Sequence, residues 1–329
     1  MRVPDALLKC VGFVCEAIHG EGEDLYGDRH GTGFFVSIPF EDPHFVTSRF
    51  YYFVTAKHVA QELANSPIFF LVNSKKGAVI HMEEVYDSHW WHHPDPSVDV
   101  AVVLVGRQRE ADIIPVGIGQ FATQERMESL DIGIGDEVFC TGLFSFAPGV
   151  GKNMPVVRTG NIAMLPEEQL QTENGFADVY FVESRSIGGL SGSPVFARRT
   201  VRTGSVKRDD GTLSPVFGNG PGDTLLGMMQ GHWDIRESDM NKGGWVDHDP
   251  KKGVNMGFGI VVPAIKIKEV LYREELVQQR KELEKAKLRS IMPTMDSVKR
   301  KAVEEPDEAP FAQQDFDAAL RKVSRKIEQ

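Results

Sequence analysis

Short apolar runs alternate with clusters of glycine, proline and polar residues over most of the chain. The runs are rich in β-branched and aromatic residues, which favour a half-buried strand. They occupy residues 7–18, 31–38, 51–56, 68–72, 78–82, 98–105, 136–142, 155–162, 177–183, 225–231 and 257–262. Residues 198–223 lack this pattern and predict a surface loop. Many short strands joined by glycine- and proline-containing turns predict an all-β protein built from two successive barrels or sandwiches.

The pattern changes after residue 263. Apolar residues then recur at helical spacing, and the chain becomes rich in charged residues up to position 289. The recurring apolar positions are Ile267, Val270, Leu271 and Val277. This spacing predicts a C-terminal helix over 264–291 that packs its first turns on the β-rich body and then extends into solvent.

Two further segments follow this helix. Residues 292–312 are rich in proline and charge and predict a linker. Residues 313–329 predict an amphipathic helix, whose apolar stripe is Phe316, Ala319, Leu320, Val323 and Ile327. So short a helix is marginal in water by itself. We therefore expect it to dock, either on its own body or on a regulatory partner or second copy.

Composition narrows the classes of function. The 329 residues carry a formal net charge of −10, which lacks the basic excess that a nucleic-acid binder uses on phosphates. Three cysteines are too few for a disulfide framework and indicate a reducing compartment. The N-terminus has no signal-peptide pattern, and no window reaches the ~18 apolar residues that span a bilayer. We expect a cytoplasmic protein that binds neither nucleic acid nor membrane.

Residues 186–194 read Ser-Ile-Gly-Gly-Leu-Ser-Gly-Ser-Pro, a composition with low propensity for a strand or a helix. Glycine permits close backbone approach and proline fixes the exit of the chain. Such a turn can present one hydroxyl while the N–H groups of Gly189 and Ser191 face the same point, as an oxyanion hole requires. On chemistry alone, Ser191 and Ser193 are both candidate nucleophiles.

A serine nucleophile needs a base and a carboxylate that orients the base. His58 follows an apolar strand, and Asp99 opens a buried strand, where a carboxylate is costly unless a partner takes up its charge. Either residue alone is also typical of an ordinary strand end or turn. The order His58, Asp99, Ser191 is more informative, because it places the site in a cleft between two β-rich halves.

Three segments resemble the signature segments of the chymotrypsin-like (trypsin-like) serine proteases. They are Thr-Ala-Lys-His-Val at 55–59, Asp-Val-Ala-Val at 99–102 and Gly-Leu-Ser-Gly-Ser-Pro at 189–194. Supporting matches lie at 31–34, 135–142 and 257–263. The resemblance is closest in character to the bacterial HtrA-like protease domains. It implies a double six-stranded β-barrel over 1–263, with halves at roughly 1–120 and 121–263, followed by a C-terminal helical tail.

The resemblance also implies roles for the residues of the site. Ser191 is the expected nucleophile, His58 the general base and acid, and Asp99 the orienting carboxylate. The backbone N–H groups of Gly189 and Ser191 form the expected oxyanion hole. The family pattern selects Ser191 over Ser193, because the reactive serine stands between Gly-Xaa and Gly-Xaa-Pro.

By position, the expected substrate pocket has Arg185 at its base. Gln230, Gly231 and His232 form its wall and the strand that pairs with the substrate. A basic pocket would suit an acidic side chain; alternatively, Arg185 turns outward or pairs with an acid such as Glu183.

The sequence departs from the family in two places. Leu190 stands where zymogen-activated trypsins carry an aspartate, and no PDZ-like domain follows residue 263. Activation by a freed N-terminus and regulation by a PDZ domain are therefore not expected.

Metal or cofactor chemistry is not expected. His89, His92 and His93 cluster, but no carboxylate or cysteine stands at ligand spacing around them. We predict a serine endopeptidase that cleaves protein or peptide substrates through an acyl-enzyme. The alternative is a latent or inactive protease-fold binding module that is activated by a partner, or scaffolds one, through its helical tail.

Overall fold

The structure is a computed structural model that describes residues 3–19, 24–63, 66–86, 89–144, 147, 149, 151–172, 174–184, 190–198, 203–207, 213–217, 223–235 and 254–298. Strands dominate it. They are β1 (Val11–His19), β2 (Asp24–Pro39), β3 (Arg49–Thr55), β4 (Ile68–Asn73), β5 (Val79–Val85), β6 (Trp91–His92), β7 (Ala101–Val105), β8 (Val116–Gly117), β9 (Glu137–Leu143), β10 (Pro155–Met164), β11 (Leu170–Thr172), β12 (Gly175–Ala177), β13 (Tyr180–Glu183), β14 (Pro194–Ala197), β15 (Thr203–Lys207), β16 (Leu213–Phe217), β17 (Thr224–Ile235) and β18 (Val254–Pro263). The helices are α1 (Asp5–Leu8), α2 (Lys57–Glu62), α3 (Gln124–Leu130), α4 (Ala264–Leu271) and α5 (Glu274–Val298).

The first eight strands form one sheet, which we call the first sheet. Its order is β5-β4-β1-β2-β3-β7-β6, with β8 beside β2. The two outlying strands β6 and β8 have two residues each, so six longer strands carry the sheet. All five residues of β7 are buried, as a continuous apolar strand requires.

Six later strands close into what we call the second barrel. Its order is β10-β13-β18-β17-β14-β9, and every neighbouring pair is antiparallel. Closure removes unpaired strand edges. The sheet, the barrel and the helices that follow them confirm the predicted fold class. This arrangement is consistent with a chymotrypsin-like double barrel.

The segment predicted as a surface loop at 198–223 contains two strands. β15 and β16 pair antiparallel and form a separate two-stranded sheet. The prediction was wrong here because both strands are short and interrupted by glycine or proline, which conceals a strand pattern.

The C-terminal helices pack against an apolar cluster that the first sheet shares with residues of the second barrel. In α4, the predicted apolar positions Ile267, Val270 and Leu271 are buried, and they belong to the same apolar cluster as the strands of the first sheet. In α5, Leu276 and Leu283 join that cluster. The prediction that the charged continuation extends into solvent was wrong.

Polar contacts explain how so charged a helix can be buried. Arg280 is 5% exposed, and its Nη1 donates to the Tyr52 hydroxyl at 3.0 Å and to the Leu271 carbonyl at 2.7 Å. Its guanidinium also lies 5.2 Å from the centre of the Tyr272 ring. Buried charge is tolerated when such partners are supplied.

The next turns of α5 make similar contacts with the connection between β2 and β3. The Glu284 carboxylate accepts from the Glu41 backbone N–H at 2.9 Å. The Lys287 ammonium donates to the Ser48 hydroxyl at 2.8 Å and lies 4.8 Å from the centre of the Phe45 ring. Contacts along several turns of α5 thus fix this helix against the first sheet.

The helix α5 continues to Val298, so the predicted linker over 292–312 is wrong for its first residues. Pro293 lacks one hydrogen-bond donor, and a helix can continue past such a residue with a kink. The remainder of that linker and the predicted amphipathic helix at 313–329 lie outside the described residues. Within the described part of the chain, no helix is long and apolar enough to cross a membrane.

Candidate active site

His58 lies on the first turn of α2, directly after a central strand of the first sheet. Strand β3 ends at Thr55, and Ala56 caps the helix in an extended conformation with φ −67° and ψ 139°. The next two residues, Val59 and Ala60, are buried and fix the helix against the sheet. The side chain of His58 is 42% exposed and faces the surface.

Asp99 receives two hydrogen bonds from this one histidine. Its Oδ1 accepts from the His58 backbone N–H at 2.9 Å, and its Oδ2 lies 2.7 Å from His58 Nδ1. The carboxylate side chain is only 2% exposed, so these bonds offset the cost of burying it. Because a carboxylate accepts, Nδ1 carries the proton, and a neutral ring has its lone pair on Nε2.

The Ser191 turn is fixed by backbone hydrogen bonds on both sides of the serine. Ser193 N–H donates to the Leu190 carbonyl at 3.0 Å, and Gly192 N–H donates to the Met229 carbonyl on β17 at 2.8 Å. Gly192 has φ +84°, and a Cβ there would collide with the Thr32 carbonyl. Ser191 itself is partly exposed and lies in this tightly constrained turn.

The turn lies beside the helix that carries His58. A Cβ placed on Gly31 would come within 2.8 Å of a Val59 methyl group and 3.3 Å of the Ser191 carbonyl. Only a glycine lets the two segments approach this closely. The structure therefore pairs His58 with Asp99 and places the backbone of Ser191 near the helix that carries His58. That the three side chains act together stays a prediction.

Ser193 occupies a different environment. Its side chain is 0% exposed. Beside it lies Cys140, whose pKa burial raises to about 12, although the Ser193 hydroxyl acts in the opposite direction. A buried hydroxyl is out of reach of a peptide, which favours Ser191 as the nucleophile.

Thr32 is the residue of this region that sequence reasoning missed. Its N–H donates to the Ser191 carbonyl at 3.0 Å, and its carbonyl accepts from the Thr55 hydroxyl at 2.8 Å. Its own hydroxyl exchanges hydrogen bonds with Leu143 of the second barrel, at 3.0 Å from the backbone nitrogen and 3.3 Å from the carbonyl. The only sequence signal was its place between two glycines at 31–33.

The predicted substrate-binding residues divide into two groups. Gln230, Gly231 and His232 are half-buried on β17, directly after the residue whose carbonyl holds Gly192. A Cβ on Gly231 would meet no atom within 4 Å, so this strand faces open space there. Arg185 and Gly189 lie outside the described residues, and their expected roles stay predictions.

The histidine cluster is dispersed among separate partners. His89 Nδ1 accepts from the Tyr86 backbone N–H at 3.2 Å, while His93 Nε2 lies 2.8 Å from the Glu269 carboxylate. Among the described residues, no three His, Cys, Asp or Glu side chains are grouped so that they could hold a metal ion.

No model of a known protein family matches the sequence, and no curated protein matches it either. Among solved structures, the chain is similar to the apo form of the MamO protease domain from Magnetospirillum magneticum, at 14% identity and a TM-score of 0.46, over 82% of this chain and 98% of that chain. It is also similar to Deg5, at 16% identity and a TM-score of 0.39, over 69% and 81% of the two chains. The inactive form of the Rv3671c protease of M. tuberculosis gives 17% identity and a TM-score of 0.40, over 81% and 89%. At these identities and TM-scores the similarities carry no conclusion about activity.

Proposed function

We propose that the protein is a serine endopeptidase that hydrolyses peptide bonds through an acyl-enzyme. The observation that supports this most is the pair of hydrogen bonds from His58 to the buried Asp99, next to a constrained and partly exposed serine turn. A buried carboxylate that fixes one tautomer of an exposed imidazole is what general-base catalysis on a serine requires.

In the proposed reaction, Ser191 Oγ attacks the carbonyl carbon of the scissile bond and its proton passes to His58 Nε2. Asp99 stabilises the imidazolium, and the N–H groups of Gly189 and Ser191 stabilise the oxyanion. The proton then passes to the leaving amine as the C–N bond breaks, which leaves an ester on Ser191. A water molecule attacks this ester by the same proton relay and releases the acid and the free serine.

The proposed substrate is an extended segment of protein or peptide. It would pair with β17 at Gln230, Gly231 and His232, where the strand faces open space. Arg185, by its place in the sequence, would lie at the base of the pocket and favour an acidic side chain, unless it turns outward.

Fluorophosphonate labelling of the purified full chain tests this proposal. The wild type and Ser193→Ala should label, because Ser193 is buried, whereas Ser191→Ala should not. Loss of the nucleophile should lower the labelling rate on the order of 10⁴-fold or more. Thermal unfolding of each variant checks that the fold persists. Equal labelling of the wild type and Ser191→Ala would disprove the assignment.

The second candidate function is a latent protease-fold module that a partner activates through the helical tail. The observation that favours this function is the packing of α4 and α5 on the apolar cluster of the first sheet, whose strands lead to His58 and Asp99. A folded wild type that does not label would support this function over an active protease. The cytoplasmic location and the regulatory partner, or self-association, stay predictions.

A further inference from the structure

The carboxylate of Asp99 is held by His58 alone within the described part of the chain. Both of its oxygens accept from that residue and from no other. Among the residues that the structure describes, no second side chain therefore fixes the direction of the carboxylate. Its orientation depends on the backbone that presents it, residues 93–100, which we call the Asp99 loop.

The ring of His93 forms the base of the Asp99 loop. Its Nδ1 accepts from the Asp95 backbone N–H at 3.1 Å, and the backbone N–H of His93 donates to the Val100 carbonyl at 3.3 Å. The Asp95 carboxylate then accepts from the Ser97 N–H at 2.9 Å and from the Ser97 hydroxyl at 2.7 Å. The two ends of the loop, on either side of Asp99, are thereby closed on His93.

The C-terminal helix α4 fixes the His93 ring. Because Nδ1 accepts, the proton of the neutral ring is on Nε2, which donates to the Glu269 carboxylate at 2.8 Å. The His93 side chain is 5% exposed, whereas that of Glu269 is 43% exposed. Glu269 thus supplies the acceptor that a nearly buried donor needs.

The same carboxylate is connected to the second barrel. Glu269 lies 3.5 Å from the Lys266 ammonium, which lies 2.9 Å from the carboxylate of Asp178, between β12 and β13. Burial alone would lower the pKa of Lys266, but the carboxylates of Asp178 and Glu269 outweigh this effect and raise it. A series of ion pairs and hydrogen bonds therefore joins the second barrel to the Asp99 loop through α4. Its members are Asp178, Lys266, Glu269 and His93.

We propose that His93 and Glu269 are positioning residues, which hold the Asp99 loop so that Asp99 meets His58 in the geometry the reaction needs. This inference rests on the proposed function. It assigns to α4 a part in the active site, which α4 exerts through the contact of Glu269 with His93. Small misplacements of catalytic groups cost on the order of 10²-fold in rate.

The test compares Glu269→Leu with Glu269→Gln. Leucine covers His93 Nε2 without offering an acceptor, whereas glutamine keeps an acceptor oxygen and removes only the charge. Glu284→Leu is the matched control, because Glu284 also bridges a C-terminal helix to the first sheet, at Glu41, but away from the Asp99 loop. Thermal unfolding measures the stability that each variant loses.

Two readouts separate positioning from stability. The first is the low-field proton resonance of His58 Nδ1–H, assigned by its loss in His58→Ala. The second is saturation kinetics of fluorophosphonate labelling. Glu269→Leu should shift or broaden the resonance and lower the maximal labelling rate on the order of 10-fold or more, with the probe's half-saturation concentration little changed. Glu269→Gln should stay within about 2-fold of the wild type, as a hydrogen-bond role requires.

The outcomes distinguish the two proposals. Absence of labelling in the folded wild type overturns the proposed function, and the His58 resonance then decides the positioning role alone. An unchanged resonance in Glu269→Leu, or an equal change in Glu284→Leu, overturns the positioning role. A change in Glu269→Leu that glutamine restores and Glu284→Leu does not share supports it.

Discussion

Thr32 shows how one small polar residue can join two β-structures at the serine turn. Its backbone N–H reaches Ser191, while its hydroxyl acts as donor and acceptor toward Leu143 of the second barrel. The residue is 0% exposed, so none of these groups has water as an alternative partner. Thr32 therefore influences both the stability of the fold and the placement of the nucleophile.

Replacement of Thr32 by valine keeps the shape of the side chain and removes only the hydroxyl. The N–H and carbonyl of Leu143 then lose their partner inside the protein. We expect a loss of about 1–3 kcal/mol in the free energy of unfolding, measured in urea, together with slower labelling of Ser191. The control Thr32→Ser keeps the hydroxyl and should lose less stability. An equal or larger loss in Thr32→Ser would contradict a dominant role for the hydroxyl.

At the scale of elements, sequence reasoning was accurate where packing is periodic. The strands and the segments that carry His58 and Asp99 could be read from apolar runs, because a buried strand needs continuous apolar side chains. The docking of α5 could not be predicted from apolar runs, because its buried residues include Arg280 and Glu284. Two of their partners, Tyr52 and Glu41, lie more than two hundred residues away along the chain, and no local pattern reports them.

The helix α5 offers neighbouring charges with opposite exposure. Arg280 is buried against Tyr52 and Leu271, whereas Lys281 is exposed. We expect Arg280→Ala to lower the free energy of unfolding by about 2–3 kcal/mol, because it removes two hydrogen bonds and a cation–π contact. Lys281→Ala should change it by no more than about 0.5 kcal/mol. Urea unfolding compares the two, and similar losses would show that α5 docks by other contacts.

At the scale of the whole molecule, the first sheet, the second barrel and the C-terminal helices share one apolar cluster. It runs from Leu7 near the start of the chain to Leu283 in α5. The cysteines Cys10, Cys15 and Cys140 are all buried and free. Burial raises the pKa of each from 9.0 to about 12, so each thiol favours the folded state only in its protonated form.

This gives the stability of the protein a definite dependence on alkaline pH. Between pH 9 and pH 12 the unfolded chain loses thiol protons that the folded chain keeps, so the free energy of unfolding falls as pH rises. The expected slope is up to about 1.4 kcal/mol per pH unit for each thiol. Urea unfolding at a series of pH values measures it. The triple variant Cys10→Ala, Cys15→Ala, Cys140→Ala should show a shallower slope, and an unchanged slope would contradict the assignment.

The position of Leu276 and Leu283 in the core of the first sheet also has a consequence for synthesis of the chain on the ribosome. The strands that carry His58 and Asp99 are made early, yet their apolar cluster is completed by residues of α4 and α5 that emerge after the last strand of the second barrel. A nascent chain that ends at residue 263 already contains the proposed nucleophile, Ser191. It still lacks the helices that cover its first sheet. Assembly of the site is thus delayed until α4 and α5 have been translated.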